Sequence, residues 1–180
     1  MRELFEFHLP ERFIVGTVGT DEERDFFVQA KSKDQLVTIS LEAGQCDVLA
    51  QGLDRILDEL LKMGIDAPIA EPGDLDLEPL NSPIENEFPA QSMGLAWNEV
   101  SKLITLEIHG PWDSEDIPDV EENPEEGPAC LRVRLNLHQA RAFVSRTNRI
   151  LAFGGKPCQF CQLPLEPSGH VCPRANGYRR

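Results

Sequence analysis

The densest chemistry in the chain lies near its C-terminal end, in Cys158-Gln-Phe-Cys161 and Gly169-His170-Val-Cys172. Cys-x-x-Cys puts two thiolates on one tight turn, where both can reach a single ion. His170 and Cys172 bring a second pair from an extended segment. Pro164, Pro167 and Gly169 mark the bend that returns the chain between the two pairs. Three sulfurs and one imidazole fill a tetrahedron, with Zn–S about 2.3 Å and Zn–N about 2.0–2.1 Å, and leave no position for water. The spacing predicts one structural zinc held by Cys158, Cys161, His170 and Cys172. A redox Cys-x-x-Cys is the rival, but such a pair usually opens the helix that follows a strand. Here the helical pattern comes before the motif and a proline-rich turn follows it. A disulfide between the first two cysteines would leave His170 and Cys172 unexplained. Iron is compatible with the same ligands.

A second group of residues is basic. Arg141, Arg146, Arg149 and Lys156 lie on or beside the last predicted helix, and Arg174 stands just after the zinc motif. Together they are candidates for holding an anionic, perhaps phosphorylated, small ligand. Arg174, Arg179 and Arg180 could also meet nucleic acid. That is disfavoured, because only Phe160 and Tyr178 offer rings here and the rest of the chain is strongly acidic.

Other chemistry is thinner. Gly16-Thr-Val-Gly19 lacks the lysine and following helix of a phosphate loop and reads as a β-turn. His8, His109 and His138 stand in no recognisable nucleophile signature and read as surface or hydrogen-bonded histidines. The acids Asp113, Glu115, Asp116, Asp119, Glu121, Glu122, Glu125 and Glu126 lack the glycine and ligand spacing of a calcium loop. They read as a solvated, flexible segment. Trp97 and Trp112, near strand ends, fit either a cleft or the core. No residue is assigned a catalytic role.

The elements that must position these groups follow from periodicity. Residues 3–7, 13–18, 25–31 and 36–41 read as strands, with a polar hairpin turn at Ser32–Gln35. From Glu42 the period changes: Val48, Leu49, Leu53, Ile56, Leu57, Leu60 and Leu61 line one helical face, and Gly64 ends it. Residues 66–87, with four prolines and seven acids, read as a linker or mobile loop. Strands resume at 92–97, 103–109 and 129–137, around a second acidic loop at 111–128. Gln139–Phe153 then reads as a helix.

The two halves resemble each other. Residues 37–57 slide over 131–151 without gaps: Leu41 meets Leu135, Gln45 meets Gln139, and Arg55-Ile56-Leu57 meets Arg149-Ile150-Leu151. The expectation is an α+β fold built from a pseudo-duplicated unit, antiparallel strands followed by a helix, with both helices on one shared sheet. Its parts are a first half (1–65), an acidic linker (66–87), a second half (88–155) and a zinc module with a basic tail (156–180).

Charge and cysteine usage narrow the setting. The net charge is −14, yet residues 138–180 hold seven bases against Glu166 alone, leaving ten bases and thirty acids before them. The acidic part repels nucleic acid and anionic membranes. No apolar run reaches the ~20 residues that cross a bilayer. Five cysteines, two of them isolated (Cys46 and Cys130), fit a reducing compartment, so a cytoplasmic setting is expected.

Three stretches carry a family resemblance: Phe13-x-x-Gly16-Thr17-Val18-Gly19 with Phe27-x-Gln29-Ala30; Leu95-Ala96-Trp97; and Gln139-Ala140-Arg141-Ala142-Phe143 leading into the tail from Gly155 through Cys158, Cys161, His170 and Cys172 to Gly177. The chain resembles the mainly actinobacterial family called domain of unknown function 3090. Gln162, where members often have glycine, and Thr20–Arg24, where a Pro-Gly pair is usual, depart from its pattern without touching a ligand. The resemblance implies no activity. It implies a context in which members occur beside a histidine-phosphatase-like protein and a protein similar to lipid kinases. The reading favours a non-enzymatic, zinc-containing accessory protein that binds a protein partner.

Overall fold

Each stretch of alternating hydrophobicity folds into a three-stranded antiparallel meander that runs directly into a helix. In the computed structural model, which describes residues 1–20, 23–67, 75–114 and 116–153, the first meander is β2 (Arg12–Gly19), β3 (Arg24–Ser32) and β4 (Gln35–Leu41), followed by α1 (Ala43–Lys62). The second is β6 (Ser92–Asn98), β7 (Leu103–His109) and β8 (Cys130–Leu135), followed by α2 (Leu137–Phe153). A short strand precedes each meander: β1 (Leu4–His8) before β2, and β5 (Asn86–Pro89) before β6.

Neither short strand stays with the meander it precedes. β1 pairs in parallel with β8, and β5 pairs in parallel with β4. The protein is therefore α+β with two mixed four-stranded sheets, ordered β1-β8-β7-β6 and β2-β3-β4-β5, where one shared sheet was expected. The cause lies in β4 and β8. Both are buried over most of their length, and each ends in a helix rather than a hairpin, so its outer edge needs a partner. A parallel partner requires a long crossover. For β5 that crossover includes α1; for β1 it is the whole intervening chain.

Both helices start with the same device. The Gln45 side chain accepts a hydrogen bond from the Glu42 amide at 2.8 Å. At α2, the Gln139 side chain accepts from the Asn136 amide at 3.1 Å, while the Asn136 side chain accepts from the Gln139 amide at 2.8 Å. These satisfy donors that the first turn leaves free. Each glutamine also donates onward, Gln45 to the Ala90 carbonyl and Gln139 to the Pro10 carbonyl, both at 2.9 Å. Ala90 follows β5 and Pro10 follows β1, so each cap ties a helix to the exchanged strand. At the other end of α1, Gly64 has φ +81°, and the Ile65 amide reaches the Leu60 carbonyl at 2.9 Å. This is a left-handed glycine stop.

One continuous core joins both sheets and both helices. Leu49, Leu53, Leu57 and Leu60 form the inner stripe of α1, while α2 contributes Ala140, Phe143 and Val144. The Phe13 and Phe143 rings stack at 4.7 Å, fixing α2 against β2. Gly52 lets α1 approach β6, because a Cβ there would come 2.7 Å from the Leu95 side chain.

The described parts of the two acidic segments are tied to the rest of the protein by hydrogen bonds. Arg12 donates to both Asp76 carboxylate oxygens (2.5 and 2.9 Å), to the Asn81 side chain and to the Glu78 carbonyl. The buried Gln29 side chain exchanges hydrogen bonds with the Asn81 backbone. In the second segment, Arg2 takes the Pro118 carbonyl through its guanidinium and the Glu125 carbonyl through its amide, both at 2.6 Å. Val120 is buried. No helix of the described residues is long and apolar enough to cross a membrane.

Candidate functional site

Strand alternation places polar side chains in rows across one face of the β1-β8-β7-β6 sheet. His109 stands opposite Cys130 on β8 and Ser92 on β6; Glu107 stands opposite Arg132 and Gly94; Thr105 stands opposite Arg134 and Ala96. On β1, Glu6 aligns with Arg132 and His8 with Arg134. The 111–128 segment folds beside this face. Its start is latched by Gln91, whose side chain accepts from the Trp112 amide at 2.8 Å.

Arg132 is the hub of these charges. Its guanidinium donates to Glu107 at 2.7 Å and lies 3.7 Å from Glu6 and 3.5 Å from Glu121. Arg134 approaches Glu6 at 3.4 Å. Glu107 also meets His109 Nε2 at 3.2 Å. That hydrogen bond, opposed by partial burial and aided by Arg132, holds the Glu107 carboxyl down at about 2. Burial pushes the Cys130 thiol up to about 12, so it is neutral here. Glu107, His109 and Cys130 each offer one ligand atom, all within 4.8 Å of one another, and could hold a metal ion.

Next to this cluster a groove of about 360 Å³ runs along β6, with Gly94, Leu95, Ala96, Trp97, Asn98 and Thr105 along it. Its charged lining is Glu107, Asp119, Glu121 and Arg132. β6 is the last strand of its sheet, so one row of its backbone groups has no strand beside it. Asp113, Asp116, Asp119, Glu121, Glu122, Glu125 and Glu126 are all exposed, so the flank of the groove is strongly negative. Trp97 is half-buried and packs against the core while also bordering this groove.

The basic residues expected to gather an anion are placed differently. Arg141 on α2 pairs with Asp54 and, at 3.6 Å, with Asp58, both on α1. Arg146 is buried; it donates to the Val15 carbonyl at 2.8 Å and to the Asp76 carbonyl, and lies 3.6 Å from the Asp76 carboxylate. Arg149 is half-buried on α2. Arg141 and Arg146 thus have acids against them, and they join helix to helix and helix to the 75–81 segment. Lys156, Arg174 and the expected zinc ligands Cys158, Cys161, His170 and Cys172 lie outside the described residues.

Sequence reasoning singled out none of Glu107, His109 or Cys130 as a site. Glu107-x-His109 on a strand does announce one shared face. What could not be read was the β7–β8 register, which brings Cys130 across from His109 after a twenty-residue excursion.

The family model described as protein of unknown function, DUF3090, matches residues 5–172, nearly the whole chain, and the chain belongs to that family. No curated protein and no solved structure matches it.

Proposed function

We propose that this member of the DUF3090 family is a zinc-containing accessory protein that binds a basic, extended segment of a partner protein in the groove beside β6. The observation that carries the proposal is a groove over the sheet face from β6 to β8 whose lining includes Asp119 and Glu121, in a sheet that ends at β6. An extended peptide can add to such an edge through backbone hydrogen bonds, with alternate side chains entering the groove. Gly94 and Ala96, on the same face as Glu107 and Thr105, keep the way clear. The acids on the rim select lysine and arginine and speed encounter. The family context supplies the candidate partners, a kinase-like or a histidine-phosphatase-like protein. Zinc in the Cys158–Cys172 motif is structural in this reading, and it rests on ligand spacing. An anion site built on Arg141 and Arg146 has less support, since Asp54, Asp58 and Asp76 already neutralise them.

The test uses a short peptide alternating Arg and Val as probe, on the full chain. Charge reversal at Asp119 and Glu121 together is expected to weaken its binding roughly tenfold or more. Equal affinity for both proteins would reject the groove as the docking site.

We also infer that the two halves descend from one duplicated unit of short strand, meander and helix. Identical element order, reciprocal exchange of β1 and β5, and the matching roles of Gln45 and Gln139 support this.

A further inference from the structure

We propose that Glu107, His109 and Cys130 form a second metal site, separate from the cysteine-rich tail, for a thiophilic divalent cation of the zinc class. The donor set is one carboxylate, one imidazole and one thiolate, a mixture that suits zinc and excludes magnesium or calcium, which take oxygen ligands. The placement is set by the sheet and not by a mobile loop. His109 and Cys130 are a cross-strand pair, and Glu107 follows two residues along on the same face.

The three donor atoms lie within 4.8 Å of one another. Even at that limit the centre of their triangle is about 2.8 Å from each, so ligation at about 2.0–2.3 Å needs only a sub-ångström closing of side chains. The imidazole is 7% exposed, yet its Nδ1 has no hydrogen-bond partner. Across the ladder on β6, the Ser92 hydroxyl is likewise buried and unpartnered. A buried ring nitrogen left unpaired is unfavourable, and ligation of one ring nitrogen reorganises the contacts of the other. Three protein ligands leave a fourth position, which water or Ser92 can take.

The neighbouring charges tolerate the ion. Arg132 beside Glu107 is itself flanked by Glu6 and Glu121, so the carboxylates outnumber the guanidinium that touches the cluster. Glu107 belongs both to the cluster and to the acidic groove, which gives a cation an entry path. On binding, the Cys130 S–H gives up its proton to solvent and the sulfur lone pair goes to the metal. No redox change is involved.

Cobalt(II) replaces zinc as a coloured probe. The full chain, stripped by chelator and reloaded, is expected to bind one ion more than Cys130→Ala, and one ion more than Cys161→Ser if the tail site also holds. In Cys161→Ser, a thiolate-to-cobalt absorption band that disappears on adding Cys130→Ala establishes the second site. Glu107→Gln, which keeps the thiol, is expected to weaken cobalt binding in that background by roughly a hundredfold. Circular dichroism of each variant separates lost ligation from lost folding, and Glu107→Gln decides the matter if Cys130→Ala does not fold. If Cys161→Ser binds no cobalt, or if neither Cys130→Ala nor Glu107→Gln changes its binding, the proposal is overturned, whatever happens at the tail.

Discussion

Arg12 and Arg146 reach Asp76 from different elements, β2 and α2, and the three side chains pin an acidic segment that would otherwise repel its surroundings. Burial works against the Asp76 charge, but the hydrogen bond and charge of Arg12, the Glu78 amide and the charge of Arg146 outweigh it. The carboxyl therefore sits below its ordinary 3.8. The sign follows. A depressed folded value means stability that is fully present above the unfolded value and is lost as pH falls through the folded one. Asp76→Asn should lower stability at neutral pH by roughly 1–2 kcal/mol, discounted for the part of the carboxylate in water. The difference from wild type should shrink as pH falls below ~4. Urea titrations at neutral and acid pH check this, and a difference constant across pH would contradict it. Arg146 was read in the sequence as a candidate for holding an anionic ligand. Three residues after Phe143 and four before Ile150, it lies in line with the apolar stripe, but its acceptor on β2, the Val15 carbonyl, is 131 residues away in the chain and carries no local signal.

At the scale of elements, the meanders and both helices were legible because their periods are clean and their starts and stops carry recognisable residues. Gln45, Gln139 and Gly64 each act where pattern reasoning places helix ends. β5 was not legible. Asn86–Pro89 has one large apolar side chain, Phe88, and a proline, and it forms a strand only because β4 offers an unfilled edge. The exchange of β1 and β5 escaped for the same reason, since two residues of hydrophobic pattern do not encode which sheet a short strand will join. The 66–87 stretch, of which 75–81 is part, was read as a linker or mobile loop for want of any local signal. Its anchors, Arg12, Gln29 and Gly16, lie in strands far back in sequence. Gly16 makes the point sharply, because a Cβ there would come 2.5 Å from Leu80 Cγ. Gly16→Val should displace Leu80, cost about 1–3 kcal/mol, and raise the rate of proteolytic cleavage within 75–87. A cleavage rate equal to wild type would show that Leu80 does not seat the segment.

The whole molecule separates its charges. The acids concentrate in the described body, where most of the basic side chains that meet them are already engaged, and the excess of bases lies in residues 138–180. This distribution was fully readable from composition, and it argues for a cationic partner over nucleic acid. Spacing alone raises the expectation of zinc in the tail, and that expectation makes a separate prediction. Protein purified without added metal should carry one zinc fewer as Cys161→Ser than as wild type, by elemental analysis. An unchanged content would remove the tail site and turn its Cys-x-x-Cys toward redox chemistry. What composition could not supply is the place proposed for a partner, because the free edge of β6 exists only once β1, β8 and β7 have taken the other positions in the sheet.

The docking reading is tested most directly by following backbone amide resonances of the full chain during titration with the Arg/Val peptide. Salt-sensitive shifts confined to Gly94–Asn98 and Asp119–Glu122, and abolished by charge reversal at Asp119 and Glu121, are the predicted result. Shifts elsewhere, or none at all, would contradict the assignment of the β6 groove as the partner site.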